Sequence, residues 1–234
     1  MQNNTCNWTI VEKKEEAPLV STLFLRAESE QPNFIAGQYL TVQLPGFEPA
    51  EGKSYSISSA PHDPLLTLTI KEMGNFSRAL LAHEVGTILT TSTPYGFFYP
   101  DEPRAPHLIF IAGGIGITPC MSMIRSLLHT APDTHITLLY SNRTEADIIF
   151  KDTLTTLASN HPTFSIHHFL TREDIVETDT QHRGRLTEAS LVEYTKIPEA
   201  DYFLCGSMDF TKSLWSHLRT LHIPSTKIYT EGFF

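Results

Sequence analysis

Five consecutive apolar residues, Leu108-Ile109-Phe110-Ile111-Ala112, run without a break into Gly113-Gly114-Ile115-Gly116-Ile117-Thr118-Pro119. A run that is apolar on every side reads as a strand buried on both faces, the habit of a central strand in a parallel sheet. The glycines permit a tight turn, Thr118 suits an N-cap and Pro119 the first position of a helix over 119–128. The same turn suits a phosphate, because bare glycine backbone admits close approach and a helix N-terminus offers free N–H groups and a positive dipole end. The spacing is GxGxxP and not GxGxxG, and a tight connection without a ligand has the same appearance. Gly114, Gly116, Thr118 and Pro119 are therefore candidates for binding a dinucleotide.

The rest of the second half repeats the alternation. Strands are expected over 108–112, 135–140, 164–170, 202–205 and 227–229, with helices over 119–128, 146–158, 187–195 and 208–221, which implies βαβ units and a five-stranded parallel α/β domain. Ahead of the charged, proline-bearing segment 101–106 the character differs. Short runs rich in Val, Ile, Thr, Tyr and Leu at 9–11, 19–25, 39–44, 54–58, 65–70 and 87–91 are separated by turn residues such as Pro45-Gly46. They predict an antiparallel six-stranded β-barrel, with one helix over 77–83 between the last two strands. The expected domains are 1–102 and 103–234.

In an open parallel sheet, ligands bind outside the carboxyl ends of the strands. Ser141-Asn142-Arg143 follows the second expected strand, Thr171-Arg172 the third and Cys205-Gly206 the fourth. Arg143 and Arg172 suit the adenosine-side phosphates of a dinucleotide or, equally, a solvated surface. Arg183 and Arg185, flanking Gly184, are weaker candidates.

Composition narrows the chemistry. A formal charge of −9 disfavours nucleic acid as a partner. Three scattered cysteines, Cys6, Cys120 and Cys205, make neither a disulfide framework nor the four thiolates of an iron–sulfur cluster. No HExxH or CxxC pattern is present, and the adjacent His167 and His168 would point to opposite faces of a strand, so no metal is expected. No nucleophile elbow supports a hydrolase. The polar start lacks a leader-like apolar region, and the longest apolar stretch is too short to span a bilayer. A cytoplasmic monomer with no membrane contact is the expectation.

Six segments taken in order resemble the ferredoxin–NADP reductase superfamily. Lys53-Ser54-Tyr55-Ser56 is similar to its R-x-Y-S motif, Gly74-Asn75-Phe76-Ser77 to its G-x-x-S element and Pro94-Tyr95-Gly96-Phe97-Phe98 to its P-x-G-x-F element. The glycine turn, Cys205-Gly206 and the tail Glu231-Gly232-Phe233 match its nicotinamide half. The resemblance covers nearly the whole chain. It implies FAD on the barrel, NADPH or NADH on the α/β domain, and a cleft between the halves where flavin and nicotinamide meet.

Residue by residue, the resemblance implies that Tyr55 stacks on the isoalloxazine, with Ser56 near flavin N5 and Ile57 beside it. Gly74, Asn75, Phe76 and Ser77 hold the FAD pyrophosphate. Cys205 lies against the nicotinamide, Glu231 helps to place it or manages a proton, and Phe233 or Phe234 covers the flavin as a gate. Taken without the resemblance, Tyr55 reads as barrel core, Ser56 as structural, Cys205 as a small buried thiol and Glu231 as a solvated tail carboxylate. Lys53 stands where arginine is usual. Lysine meets phosphate as a point charge and not as a planar fork, which predicts a weaker hold on FAD.

The implied partner is a separate electron acceptor: a ferredoxin, a flavodoxin or an oxygenase component. A close variant reduces free flavin, and a different class is a regulatory subunit that binds a dinucleotide without turnover. Ser141, Arg143 and Arg172, with no acidic residue directly ending the second strand, tilt the coenzyme toward NADPH.

Overall fold

In a computed structural model of the chain, the described residues are 5–102, 104–174 and 178–233. Phe234, singled out in the sequence as a ring that could cover the flavin, lies outside them.

The first half forms one antiparallel sheet of six strands: β1 (Thr5–Ala17), β2 (Val20–Ala27), β3 (Tyr39–Gln43), β4 (Lys53–Ser56), β5 (Leu66–Lys71) and β6 (Ile88–Ser92), in the order β4-β3-β6-β1-β2-β5. The hydrogen-bonded ladder does not run continuously around a barrel. The two end strands are joined by a single bridge, Ile57 to Leu68, just beyond β4. Alternation in the strands sends Ile10, Leu23, Leu25, Leu40, Val42, Leu66, Leu68 and Leu89 into one core, all at most 2% exposed. Trp8 fills its centre and donates its indole N–H to Thr91 Oγ1 at 2.9 Å, so the one polar atom of a fully buried ring is satisfied. Helix α1 (Asn75–Ala82) adds Phe76 and Leu80, four residues apart and therefore on one face, to the same core.

The second half is a parallel sheet flanked by helices. Its strands are β7 (His107–Gly113), β8 (His135–Asn142), β9 (Phe164–Leu170), β10 (Gln181–Arg183), β11 (Ala200–Ser207) and β12 (Ile228–Phe233), in the order β10-β9-β8-β7-β11-β12. The sheet thus has six strands where the sequence predicts five. The addition, β10, is a three-residue edge strand whose Gln-His-Arg composition carries no apolar signal. As expected from its composition, β7 is the central strand, buried along Leu108–Ala112. The helices are α2 (Ile117–Thr130), α3 (Lys151–Asn160), α4 (Glu188–Leu191) and α5 (Met208–Thr220). Leu214 and Leu218 of α5 pack with Ile109, Ile111, Leu204 and Tyr202 of the sheet into a second core.

Two compact units result: residues 1–99 with 121–126, and 100–120 with 127–234. The middle of α2 goes with the first unit for a local reason. Ser122 Oγ donates to the Ser59 carbonyl at 2.6 Å, and the Arg125 guanidinium meets Asp63 Oδ1 at 2.6 Å.

Candidate functional site

In the second unit, the strand order reverses at β7, whose neighbours are β8 on one side and β11 on the other. Ligands of open parallel sheets bind outside such a switch point, at the carboxyl ends. The glycine turn lies there. Gly114 has φ +51°, a left-handed conformation that favours glycine, and a side chain there would meet nothing within 4 Å, so its outer face is open. Gly116 faces the opposite constraint: a Cβ on it would lie 2.2 Å from the Cys205 carbonyl oxygen and 2.7 Å from Gly206 Cα. The turn that follows β7 and the end of β11 therefore touch backbone to backbone.

The turn is held from the sheet by a residue the sequence analysis did not single out. Tyr140, fully buried on β8, donates its hydroxyl to the Gly114 carbonyl at 3.0 Å and accepts from the Ile149 N–H at 3.3 Å. A buried tyrosine two residues before a strand end was the available signal, because its hydroxyl must find a partner. One expectation is corrected here. The N-cap of α2 is Gly116 and not Thr118, and Pro119 is the third helical residue. The Thr118 hydroxyl instead donates to the Ile115 carbonyl at 3.0 Å, closing the turn from within. The first turn of α2 carries no acidic residue and no side-chain cap, and the Ile117 N–H is taken up by the Gly114 and Ile115 carbonyls.

The other strand ends lie as the chain order predicts. Arg172 N–H donates to the Arg143 carbonyl at 2.8 Å, which ties the segments after β8 and β9 together. The Arg143 guanidinium, half exposed, sits 3.3 Å from Asp147, whose other oxygen accepts from the Thr144 N–H and hydroxyl. Arg172 is exposed, and Arg183 is paired with Asp174.

Strands β11 and β12 pair in parallel with Cys205 opposite Glu231, Gly206 opposite Gly232 and Ser207 opposite Phe233. Cys205 is fully buried, and burial pushes its thiol well above the ordinary value, so it is a thiol and not a thiolate. Glu231 is not a solvated tail carboxylate. Burial raises its pKa to about 7, and its Oε2 has no hydrogen-bond partner among the described residues. Phe233 belongs to the β12 ladder, so its backbone is tied down.

In the first unit, Tyr55 is half-buried against the core, and Ile57 is completely buried. Ser56 is 4% exposed, and its Oγ has no partner. A buried hydroxyl left unpaired costs about 1–3 kcal/mol, and a ligand acceptor or donor would remove that cost. Lys53 is exposed, with its ammonium 5.7 Å from the centroid of Phe76, in the first turn of α1. That turn has Gly74 as N-cap, with no side-chain cap and no acidic residue in it, and the Lys53 ammonium stands over its Phe76 ring. Ser77 is the third helical residue. Its Oγ accepts from the Met73 N–H at 2.9 Å and donates to the Gly74 carbonyl at 3.1 Å, which shapes the Gly74-Asn75 corner. These features fit an FAD: an anion cradle at Lys53 and α1, an aromatic at Tyr55 and an unpaired donor at Ser56.

No group of three or more His, Cys, Asp or Glu side chains among the described residues is arranged to hold a metal. No helix among them is long and apolar enough to cross a membrane.

The arrangement defines a class: an antiparallel β unit with an anion cradle, followed by a parallel nucleotide unit. Residues 110–214 match the family model described as the oxidoreductase NAD-binding domain. The chain is 28% identical over 248 residues to the flavohemoprotein of Rhodopirellula baltica, covering 99% of this chain and 61% of the relative. It therefore spans about three fifths of the length of that relative. Its fold is that of the FAD/NAD binding domain of nitric oxide dioxygenase from Vibrio cholerae, with a TM-score of 0.86 at 21% identity over 97% of this chain and 98% of that one. The cytochrome b5 reductase domain of Ulva prolifera nitrate reductase superposes with a TM-score of 0.84 at 23% identity, covering 97% of each chain. The chain thus has the fold of these FAD- and NAD-binding reductase domains, and its second half resembles the oxidoreductase NAD-binding family.

Proposed function

We propose that this chain is an FAD-dependent NAD(P)H oxidoreductase. FAD, when bound, supplies the switch from a two-electron hydride donor to one-electron acceptors. Lys53 and the N-terminus of α1 bind its phosphates, Tyr55 supports the ring and Ser56 pairs with the ring edge. The turn Gly114–Pro119 and the arginines at 143 and 172 bind the nicotinamide coenzyme. Cys205 and Gly206 shape its nicotinamide end, and Glu231 holds a proton there. Residues 1–102 carry the flavin functions and 103–234 the coenzyme functions.

The observation that carries this reading is Glu231: a half-buried carboxyl with one buried oxygen, Oε2, that has no partner among the described residues, in register with Cys205. A regulatory subunit that only binds a dinucleotide needs no such group, whereas a site that places and turns over a nicotinamide has a use for a neutral donor. The acceptor is a one-electron centre on another protein or domain: a ferredoxin, a flavodoxin, an oxygenase component or, as the names of the relatives suggest, a haem. The test uses ferricyanide as a stand-in acceptor with FAD-loaded protein. Two ferricyanides reduced per NAD(P)H oxidised support the reading, and no oxidation with either coenzyme overturns it.

A second reading, NAD(P)H-dependent reduction of free flavin, is favoured by the exposed lysine at position 53. Saturable kinetics in added FMN, without retained FAD, would select it.

A further inference from the structure

The segments that follow β8 and β9 are tied together by carboxylates of the chain itself. Two backbone bonds carry the pairing of the strands past their ends: the Thr171 N–H donates to the Asn142 carbonyl at 3.0 Å, and the Arg172 N–H to the Arg143 carbonyl at 2.8 Å. The next residue, Glu173, is thereby brought to the loop after β8, where its Oε2 accepts from the Glu145 N–H at 2.5 Å. Asp147 serves the same loop. Its Oδ2 accepts from the Thr144 N–H at 3.1 Å and the Thr144 hydroxyl at 2.9 Å, and its Oδ1 lies 3.3 Å from the Arg143 guanidinium. The Lys151 ammonium stands 2.6 Å from Glu145 Oε1.

These contacts decide which coenzyme the strand ends suit. The sequence alone tilts toward NADPH, because Ser141, Arg143 and Arg172 fit a 2′-phosphate and no acidic residue directly ends β8. Such a phosphate brings about two negative charges and needs unclaimed donors and cations. In the folded chain the Thr144 N–H and hydroxyl and the Glu145 N–H already hold carboxylates. Arg143 and Lys151 stand in ion pairs, and the exposed Arg172 is followed directly by Glu173, so each of these cations has a carboxylate beside it. A free 2′-hydroxyl has the opposite need. It donates to an acceptor, and an acidic residue near the strand ends is the group that binds it in dinucleotide folds. Glu173 uses one oxygen on the Glu145 N–H, and an ionised carboxylate keeps acceptor sites on the other.

We propose that the coenzyme of this chain is NADH, selected by Glu173 at the adenosine ribose and by Asp147 through Arg143. The proposal rests on the oxidoreductase reading and names the substrate of its coenzyme site. Glu173 accepts a hydrogen bond from the ribose 2′-hydroxyl of NADH and repels the 2′-phosphate of NADPH. Asp147 keeps the Arg143 guanidinium engaged, so that it does not turn to a phosphate. Asp147 is therefore a positioning residue, since it acts through Arg143. Discrimination between two such similar ligands needs a repulsive element as well as an attractive one, and the carboxylate of Glu173 is both. The sequence hides this acid because it arrives from the end of β9 and not of β8. Glu173 and the Glu145 N–H that seats it are 28 residues apart.

The test titrates the full chain with NAD+ and with NADP+ in a calorimeter, which needs no turnover, for the parent protein, Glu173→Gln and Asp147→Asn. The parent is expected to bind NAD+ at least about ten-fold more tightly than NADP+. Glu173→Gln should weaken NAD+ and strengthen NADP+, lowering the ratio about ten-fold. Asp147→Asn should act chiefly on NADP+, through the released Arg143. Opposite movement of two affinities does not arise from misfolding, which would lower both. Added salt should shrink the preference of the parent, because the repulsion is screened. With ferricyanide as acceptor, the FAD-loaded parent should show the same preference in kcat/KM, carried by KM. Equal affinities in the parent, tighter binding of NADP+, or a ratio that Glu173→Gln leaves unmoved overturns the proposal. A parent that binds NAD+ selectively yet oxidises neither coenzyme supports the selection by Glu173 and overturns the oxidoreductase reading instead.

Discussion

Adding one methyl group at Gly116 would set its carbon 2.2 Å from the Cys205 carbonyl oxygen, which belongs to the backbone and cannot rotate away. The neighbouring Gly206 presents a milder case, because a Cβ there meets a ring atom of Phe210, a side chain able to turn. Gly116→Ala is therefore expected to cost about 3 kcal/mol or more, and Gly206→Ala less, in equilibrium denaturation. Lys53 is the residue where chain and family pattern part. Lys53→Ala should weaken FAD binding about ten-fold, and Lys53→Arg should strengthen it by a similar factor, as read by fluorescence titration. An affinity unmoved by both changes would remove Lys53 from the cradle.

Glu231 gives a prediction in pH. Its folded-state pKa, about 7, lies above the ordinary value of 4.5, because burial opposes its charge. Between those values the native state binds more protons than the unfolded one, so stability is greatest below the lower value and falls as pH rises through the higher one. Glu231→Gln should abolish that fall. At pH 8 the variant should be the more stable protein, by at most roughly 3 kcal/mol, and at pH 4 the two should melt alike. Parallel melting curves for both proteins across pH 4–8 would show that the carboxyl is not buried in solution.

Among the elements, α1 is short and lacks both an acidic first turn and an N-terminal side-chain cap. Its opposite end is held from β1, where the Lys13 ammonium donates to the carbonyls of Leu81, at 2.5 Å, and His83, at 3.0 Å. A cation at the C-terminal carbonyls offsets the negative end of the helix dipole and leaves the N-terminus free for an anion. Lys13→Met should destabilise α1 by about 1 kcal/mol and speed amide exchange within it, with β6 unaffected. Element positions were largely legible from the sequence, and the misses have physical causes. Strand β10 was invisible because three polar residues at a sheet edge bury no periodic face. The start of α2 was placed two residues late, because threonine and proline carry strong capping signals that the tertiary contact of Gly116 with β11 outweighs.

Across the whole molecule, the division into an antiparallel half and a parallel half could be read directly, since alternation of period two gives way to buried runs separated by helical stretches. The strand-end candidates followed from that division, because a parallel sheet puts its functional loops on one edge. What could not be read was burial. Glu231 stands three residues from the end of the chain and reads as solvated, yet β12 carries it into the sheet opposite Cys205. Tyr140 is an ordinary strand residue in sequence, and only the fold brings its hydroxyl to the Gly114 carbonyl.

The central claim is that one chain binds FAD and a nicotinamide coenzyme and moves hydride from the second to the first. Anaerobic mixing of FAD-loaded protein with NADH or NADPH in a stopped-flow instrument tests it most directly. Loss of the oxidised flavin's visible absorbance, slowed when the coenzyme carries deuterium at the transferred position, is the predicted result. A chain that stays colourless under saturating FAD, or a yellow protein that neither coenzyme bleaches, would contradict the account.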